Sequence, residues 1–162
     1  MKNRTHISRL LTITFIALAV LLQITLQSGH AASISWTGAV SGNWSDTSKW
    51  SPNVVPTASD DVIVSVAGSY TITLDASPTI NSLTLGGSGT PTFTASSRVV
   101  TVTNSATINT GAIVNLTSST IAGSGLLTSS GTINLSSSSI SAPLANSGTI
   151  NAYGGSAING QL

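Results

Sequence analysis

The side chains able to do chemistry are gathered near one end of the chain. Trp36, Trp44 and Trp50 are all of its tryptophans, and Asp46, Asp60 and Asp61 are three of its four aspartates. Indoles beside carboxylates suit two kinds of ligand. Exposed rings at Trp36, Trp44 and Trp50 would form a platform for sugar rings, with the carboxylates taking up hydroxyl groups. Asp60 and Asp61 would offer calcium the oxygen ligands it prefers. Each reading has a structural counterpart. The tryptophans are spaced eight and six residues apart among turn formers, in a chain with few other large side chains to bury. Burying each indole is worth roughly 4–6 kcal/mol as an upper bound, enough to close the apolar end of a stack. Adjacent aspartates before a strand usually form its turn, and no D-x-D-x-D-G loop accompanies this pair. Packing is the preferred reading of the tryptophans, and calcium is a weak expectation at Asp60 and Asp61. No cofactor is otherwise expected.

The rest of the composition excludes much. Residues 1–31 read as a secretory signal peptide. Lys2, Arg4 and Arg9 precede an apolar run from Leu10 to Leu26, and Gly29-His30-Ala31 suits cleavage after Ala31. Cleavage after Ala32 would place His30 at the minus-three position, which is less suitable. An uncleaved anchor is the alternative, since the run approaches the ~20 residues that span a bilayer. Removal of the leader takes both histidines, His6 and His30. What remains has no His, Cys or Glu, so Ser-His-Asp and Cys-His catalysis, thiolate or imidazole zinc sites and disulfides are excluded. Its charges are Lys49 and Arg98 against Asp46, Asp60, Asp61 and Asp75, a formal charge of −2. That leaves no basic patch for nucleic acid or an anionic membrane, and membrane contact is expected only through the signal peptide during export.

Beyond Asp61 the chain alternates short β-branched runs with Ser, Gly and Asn, and it carries no helical period. Strands are predicted at Val62–Val66, Tyr70–Leu74, Ile80–Leu85, Thr92–Thr94, Val99–Thr103, Thr107–Ile108, Ile113–Leu116, Leu126–Thr128, Thr132–Leu135 and Thr149–Asn151. A repeat appears in the C-terminal half: the segment from Ile121 through Leu126 to Thr132-Ile133-Asn134 aligns with that from Ile140 through Leu144 to Thr149-Ile150-Asn151, and Ile158 opens a third copy. Such a period suits one coil of a solenoid, with Ile, Leu and Val stacking inward on their equivalents. Asn81, Asn109, Asn134 and Asn151 each follow an apolar residue and are expected at turns, bonding the next coil. The rivals are a disordered stalk, which has no need of regularly placed Ile, Leu and Val, and a sandwich of short antiparallel strands. The third copy breaks off at Leu162, so the chain is expected to be the N-terminal piece of a longer repeat protein. The N-glycosylation pattern at Asn43, Asn115 and Asn134 is expected by chance in so Ser/Thr-rich a chain.

The segment Trp36, Gly38, Gly42, Asn43, Trp44, Asp46, Trp50, Pro56, Asp61, Val62 and Val64 resembles the motif that opens many secreted bacterial β-helix surface proteins. Among these are autotransporter passenger-like and filamentous-haemagglutinin-like adhesins. The stretch from Asp60 to Leu85 is also similar to the start of G8-type extracellular domains. The resemblance implies an all-β, right-handed parallel β-helix, with a Trp-rich N-terminal cap over 32–64 and incomplete coils over 65–162.

The expected function is a non-catalytic, structural or adhesive segment, secreted or at the cell surface, whose partners would be host or cell-surface glycans or matrix. The alternatives are a carbohydrate-binding module and a polysaccharide lyase or hydrolase. A lyase of this shape would need a cluster of acids with a basic residue, and Asp60, Asp61, Asp75 and Arg98 show no repeat-aligned clustering. A hydrolase would need two facing carboxyls, yet no acid lies beyond Asp75. No catalytic residue is expected.

Overall fold

The computed structural model describes residues 31–160. The signal-peptide expectation falls, apart from Ala31, outside the described residues. These residues form sixteen strands and one turn of 3-10 helix at Thr47–Lys49. The strands are β1 (Ser33–Trp36), β2 (Gly42–Asn43), β3 (Trp50–Ser51), β4 (Asp61–Val64), β5 (Thr71–Leu74), β6 (Thr79–Leu85), β7 (Thr92–Ser96), β8 (Val99–Ile108), β9 (Ile113–Thr117), β10 (Thr120–Ala122), β11 (Leu126–Ser129), β12 (Thr132–Ser136), β13 (Ser139–Ile140), β14 (Leu144–Asn146), β15 (Thr149–Tyr153) and β16 (Ala157–Ile158). Every pairing is parallel except that of β1 with β3. Parallel neighbours joined by short coils make a β-solenoid, which rules out the antiparallel sandwich.

One wall of the stack is the sheet β2-β5-β7-β9-β12-β15. The other sheet turns a corner within each coil. β6 and β8 run through that corner unbroken, with a shift of register between Ile80 and Ser82. Later coils break there, at Gly123-Ser124-Gly125 between β10 and β11 and at Ser141-Ala142-Pro143 between β13 and β14. Alternation decides which side chains enter. Along the flat wall Ile72, Phe93, Val114 and Ile133 stack inward in register, as do Leu74, Ala95, Leu116 and Leu135. Opposite them stand Val62, Leu83, Ala106, Leu127 and Leu144. The third row is Val100, Ile121, Ile140 and Ile158. Full burial of one such aliphatic side chain is worth about 1.5–3 kcal/mol, so the stack is held by repetition of modest contacts.

The repeat register holds for Ile121, Ile140 and Ile158 and for Ile133 and Ile150. It differs by one residue between them. Leu144 stacks on Leu127, not Leu126, because the corner of the earlier coil carries two extra residues; Leu127 is buried and Leu126 is left outside.

The asparagine expectation divides in the same way. Asn115, Asn134 and Asn151 form a ladder on the flat wall, with each Nδ2 donating to the Oδ1 of the coil before, at 2.8 Å for Asn134 to Asn115 and 2.8 Å for Asn151 to Asn134. Asn81 and Asn109 lie outside it. Asn81 donates to Asp61 Oδ1, and Asn109 donates to the Leu85 and Gly86 carbonyls, because each sits at a corner rather than mid-wall. Nor does asparagine supply the left-handed turns after the wall strands. Ser97, Ser118 and Ser137 take that conformation at φ 55°, 49° and 49°, followed in the last coil by Gly154 at φ 62°.

The next residue along closes each turn. Ser119 Oγ donates to the Thr117 carbonyl of its own coil (2.8 Å) and accepts from the Arg98 N–H of the coil before (3.1 Å). Ser138 repeats this with the Ser136 carbonyl (2.8 Å) and the Ser119 N–H (3.0 Å). Ser156 accepts the Ser138 N–H at 3.2 Å. Turn donors that would otherwise be orphaned are thus satisfied by hydroxyls from the following coil.

Candidate functional site

The tryptophan segment folds as a lid over the first coil. β1 is hydrogen-bonded on one side to β4 and on the other to the short antiparallel β3, which sets Trp36 beside Trp50. Trp50 is wholly buried, its ring edge-on to Trp36 and to Trp44 with centroids 4.8 Å away in each case. Trp44 continues the cluster to Phe93, edge-on at 6.0 Å. Edge-to-face contacts of this kind exploit the quadrupoles of the rings and add about 0.5–1.5 kcal/mol per pair to the burial term. Trp50 Nε1 donates to the Trp44 carbonyl (2.7 Å) and Trp36 Nε1 to the Val40 carbonyl (3.2 Å). All three indoles are buried, with 2% exposure or less, so none presents an open ring face in this arrangement.

The acidic residues are held by the fold as well. Asp60 is buried, and its Oδ2 accepts from Thr57 N–H and Thr57 Oγ1, both at 2.7 Å, closing the turn that leads into β4. Asp61 Oδ1 accepts from Asn81 Nδ2 at 2.8 Å and Ser82 Oγ at 2.5 Å, tying β4 to the next coil. The two carboxylates therefore engage different partners, and no group of three metal-binding side chains occurs among the described residues. Asp46 caps the 3-10 turn by accepting from Ser48 N–H (3.0 Å) and Ser48 Oγ (2.7 Å). Asp75 accepts from the N–H and hydroxyl of Ser45, pinning the lid to the second coil.

These bonds act on the carboxylic acids. The Ser48 hydroxyl, then its N–H, holds Asp46 below the usual carboxylate range. The Ser45 hydroxyl does the same for Asp75, with the N–H of Ser45 and the charge of Arg98 adding to it. A carboxyl whose folded pKa is depressed stabilises the protein above its unfolded value of ~3.9, and that contribution is lost as pH falls through the folded pKa. Because the described residues carry no histidine, the urea midpoint is expected to stay flat from about pH 8 to pH 5 and to drop at more acid pH. Both residues are only partly buried, at the surface, so the drop is small, and Asp75→Asn reduces it. A midpoint that shifts between pH 8 and pH 5 would contradict this.

Outside the lid, the surface feature with a regular chemistry is the flat wall. Its outward positions stack into rows in register: Thr71, Thr92, Ile113, Thr132 and Thr149 in one, and Thr73, Thr94, Asn115, Asn134 and Asn151 in the next. Spacing is set by the backbone, about 4.7–4.9 Å between coils and about 6.6–6.8 Å between alternate residues of a strand. The threonine hydroxyls of both rows make no hydrogen bond among the described residues, whereas the turn serines bond inward. No charged side chain lies on these rows. The wall was legible as strands; its chemistry was not singled out, although the Thr-x-Thr and Thr-x-Asn spacing at 71–73, 92–94, 132–134 and 149–151 is the signal that would have found it.

Residues 35–142 match a family described as Domain of unknown function (DUF8693). No curated protein and no solved structure matches the chain.

Proposed function

The chain belongs to the DUF8693 family, and we propose that it serves as a non-catalytic, structural and adhesive segment of a protein exported to the cell surface or beyond. The observation that carries this reading is the pair of outward rows on the flat wall, where unbonded threonine hydroxyls and an asparagine ladder repeat on a rigid support. Hydroxyls and amides both donate and accept, so their natural counterpart is an uncharged polyhydroxyl polymer, a glycan or a matrix polysaccharide. A single exchange of water for such a partner yields only about 0.5–1.5 kcal/mol. Useful adhesion then comes from many weak sites aligned on one rod and from many rods on one surface, where effective concentration multiplies modest affinities. The lid supports the same role, since it closes one end of the stack without offering a ligand face.

Beads carrying residues 32–162 at graded density test this on neutral insoluble polysaccharides and on glycan arrays. Retention is expected to rise steeply with density and to fall at least tenfold when Thr73 and Thr94 are both changed to lysine, which desolvates an unpaired charge against the polymer. Absence of retention by the unaltered chain on every neutral glycan would remove the adhesive part of the proposal.

A further inference from the structure

The amide ladder on the flat wall has a polarity. Asn151 donates to Asn134 and Asn134 to Asn115, so every link runs from a coil to the one before it. The chain of donation ends at Asn115. Its Oδ1 is taken by Asn134, while its Nδ2 donates to nothing among the described residues. Thr94 holds the next place in the row, and its shorter side chain makes no bond to the amide. An amide that accepts at its oxygen is polarised and donates more strongly at its nitrogen, an effect that accumulates along such a chain. The free end of the ladder therefore favours a strong acceptor.

A second irregularity lies beside it. The row Thr71, Thr92, Ile113, Thr132 and Thr149 is threonine except at Ile113, which is half-buried on the outer face of the wall. Ile113 and Asn115 are alternate residues of β9, on one face and about 6.6–6.8 Å apart along the strand. Together they set a polarised N–H and an apolar side chain on either side of one position. Hydroxyls surround that position, from Thr73 and Thr94 in one row and from Thr92 and Thr132 in the other.

We propose, in an inference that rests on the glycan reading of this wall, that the free end of the ladder seats the N-acetyl group of an uncharged, acetamido-bearing sugar polymer. The acetamido carbonyl accepts from Asn115 Nδ2, its methyl lies on Ile113, and the ring hydroxyls meet the threonines. Other groups of a polysaccharide fit less well. A sugar hydroxyl is served equally by any threonine of the rows and gains nothing from Ile113. A carboxylate would be drawn to the donor, but it would have to shed water against isoleucine with no cation on the rows to offset the cost.

Chitin and cellulose test this, being neutral insoluble polymers of the same linkage that differ by an acetamido group or a hydroxyl at one position of each ring. Beads carrying residues 32–162 at high density are expected to be retained at least tenfold better on chitin, since the small advantage at each site is multiplied by the number of sites engaged. Ile113→Thr, which completes the threonine row, is expected to lower retention on chitin to the level on cellulose. Asn115→Thr is expected to do the same, because the ladder then ends at Asn134, beside Thr132. Adding Thr132→Ile to Asn115→Thr rebuilds the pair one coil along and is expected to restore the preference. All of these variants are neutral and outward-facing, and circular dichroism and tryptophan emission serve as fold controls. Equal retention of the unaltered chain on the two polymers would overturn the inference and leave the glycan reading standing, as would a preference for chitin that both single variants keep. Retention on neither would overturn both.

Discussion

Trp50→Ala is expected to lower the unfolding free energy by about 3–5 kcal/mol, the range for removing a buried aromatic side chain from a packed core. The expectation rests on position more than on size. Trp50 is fully buried, touches both other indoles edge-on and gives its N–H to the Trp44 carbonyl. Its loss leaves a cavity between Trp36 and Trp44, strands an acceptor and loosens β3, which covers the outer edge of β1. Trp50→Phe keeps a ring at the centre and is expected to cost less, roughly 1–3 kcal/mol, from the unfilled volume and the lost hydrogen bond. Urea denaturation followed by circular dichroism measures both. A cost below about 1 kcal/mol for the alanine variant would mean that the lid is an appendage and that the first coil closes without it.

The second large effect is expected at Gly123→Ala, in a stretch of sequence that looks inert. Gly123 lies at φ +118°, a conformation that L side chains rarely adopt, and a Cβ built there falls 1.9 Å from the Val102 carbonyl oxygen of the coil before. No rotamer relieves that contact, because both groups are backbone. Backbone strain of about 1–3 kcal/mol adds to a steric displacement of similar size, for a total of roughly 2–6 kcal/mol. Gly155 provides the comparison. Its φ is +76°, yet nothing lies within 4 Å of its virtual Cβ. Gly155→Ala therefore carries the strain without the collision and is expected to cost about 1–3 kcal/mol. Similar costs for the two substitutions in thermal or urea unfolding would show that the coils separate there with little resistance.

What the sequence revealed, and where it was silent, follows the same physics. Strands whose inward residues are large and alternate were legible from pattern alone, as with Ile113–Thr117 and Thr132–Ser136. So was the stacking of Ile121, Ile140 and Ile158, because the core selects the same side chain at each level. Strands of only two residues, β2, β3, β13 and β16, carry too few alternations to announce themselves. Their pairing is imposed by neighbours already in register. Val99–Ile108 gave the opposite error: Asn104, Ser105 and Ala106 read as a break between two strands, whereas the backbone stays extended around the corner. The lid's tryptophans were conspicuous as residue types, but their mutual edge-on packing depends on β3 folding back against β1, an antiparallel contact that no local periodicity encodes. Asn115 was missed as the start of the amide ladder because it sits in Val-Asn-Leu rather than Ile-Asn, and only the register of β9 on β12 sets it below Asn134.

The serine that closes each turn gives the stack a direction. Arg98 has its N–H satisfied only once Ser119 is in place, Ser119 once Ser138 is, and Ser138 once Ser156 is. A coil laid on the growing stack completes the one beneath and leaves its own turn unfinished until the next arrives. The dependence runs one way: disturbing the Ser138 turn bares the amide of Ser119, and disturbing the Ser119 turn bares that of Arg98. Each turn thus borrows its protection against solvent exchange from the coil that follows it, not from the one beneath.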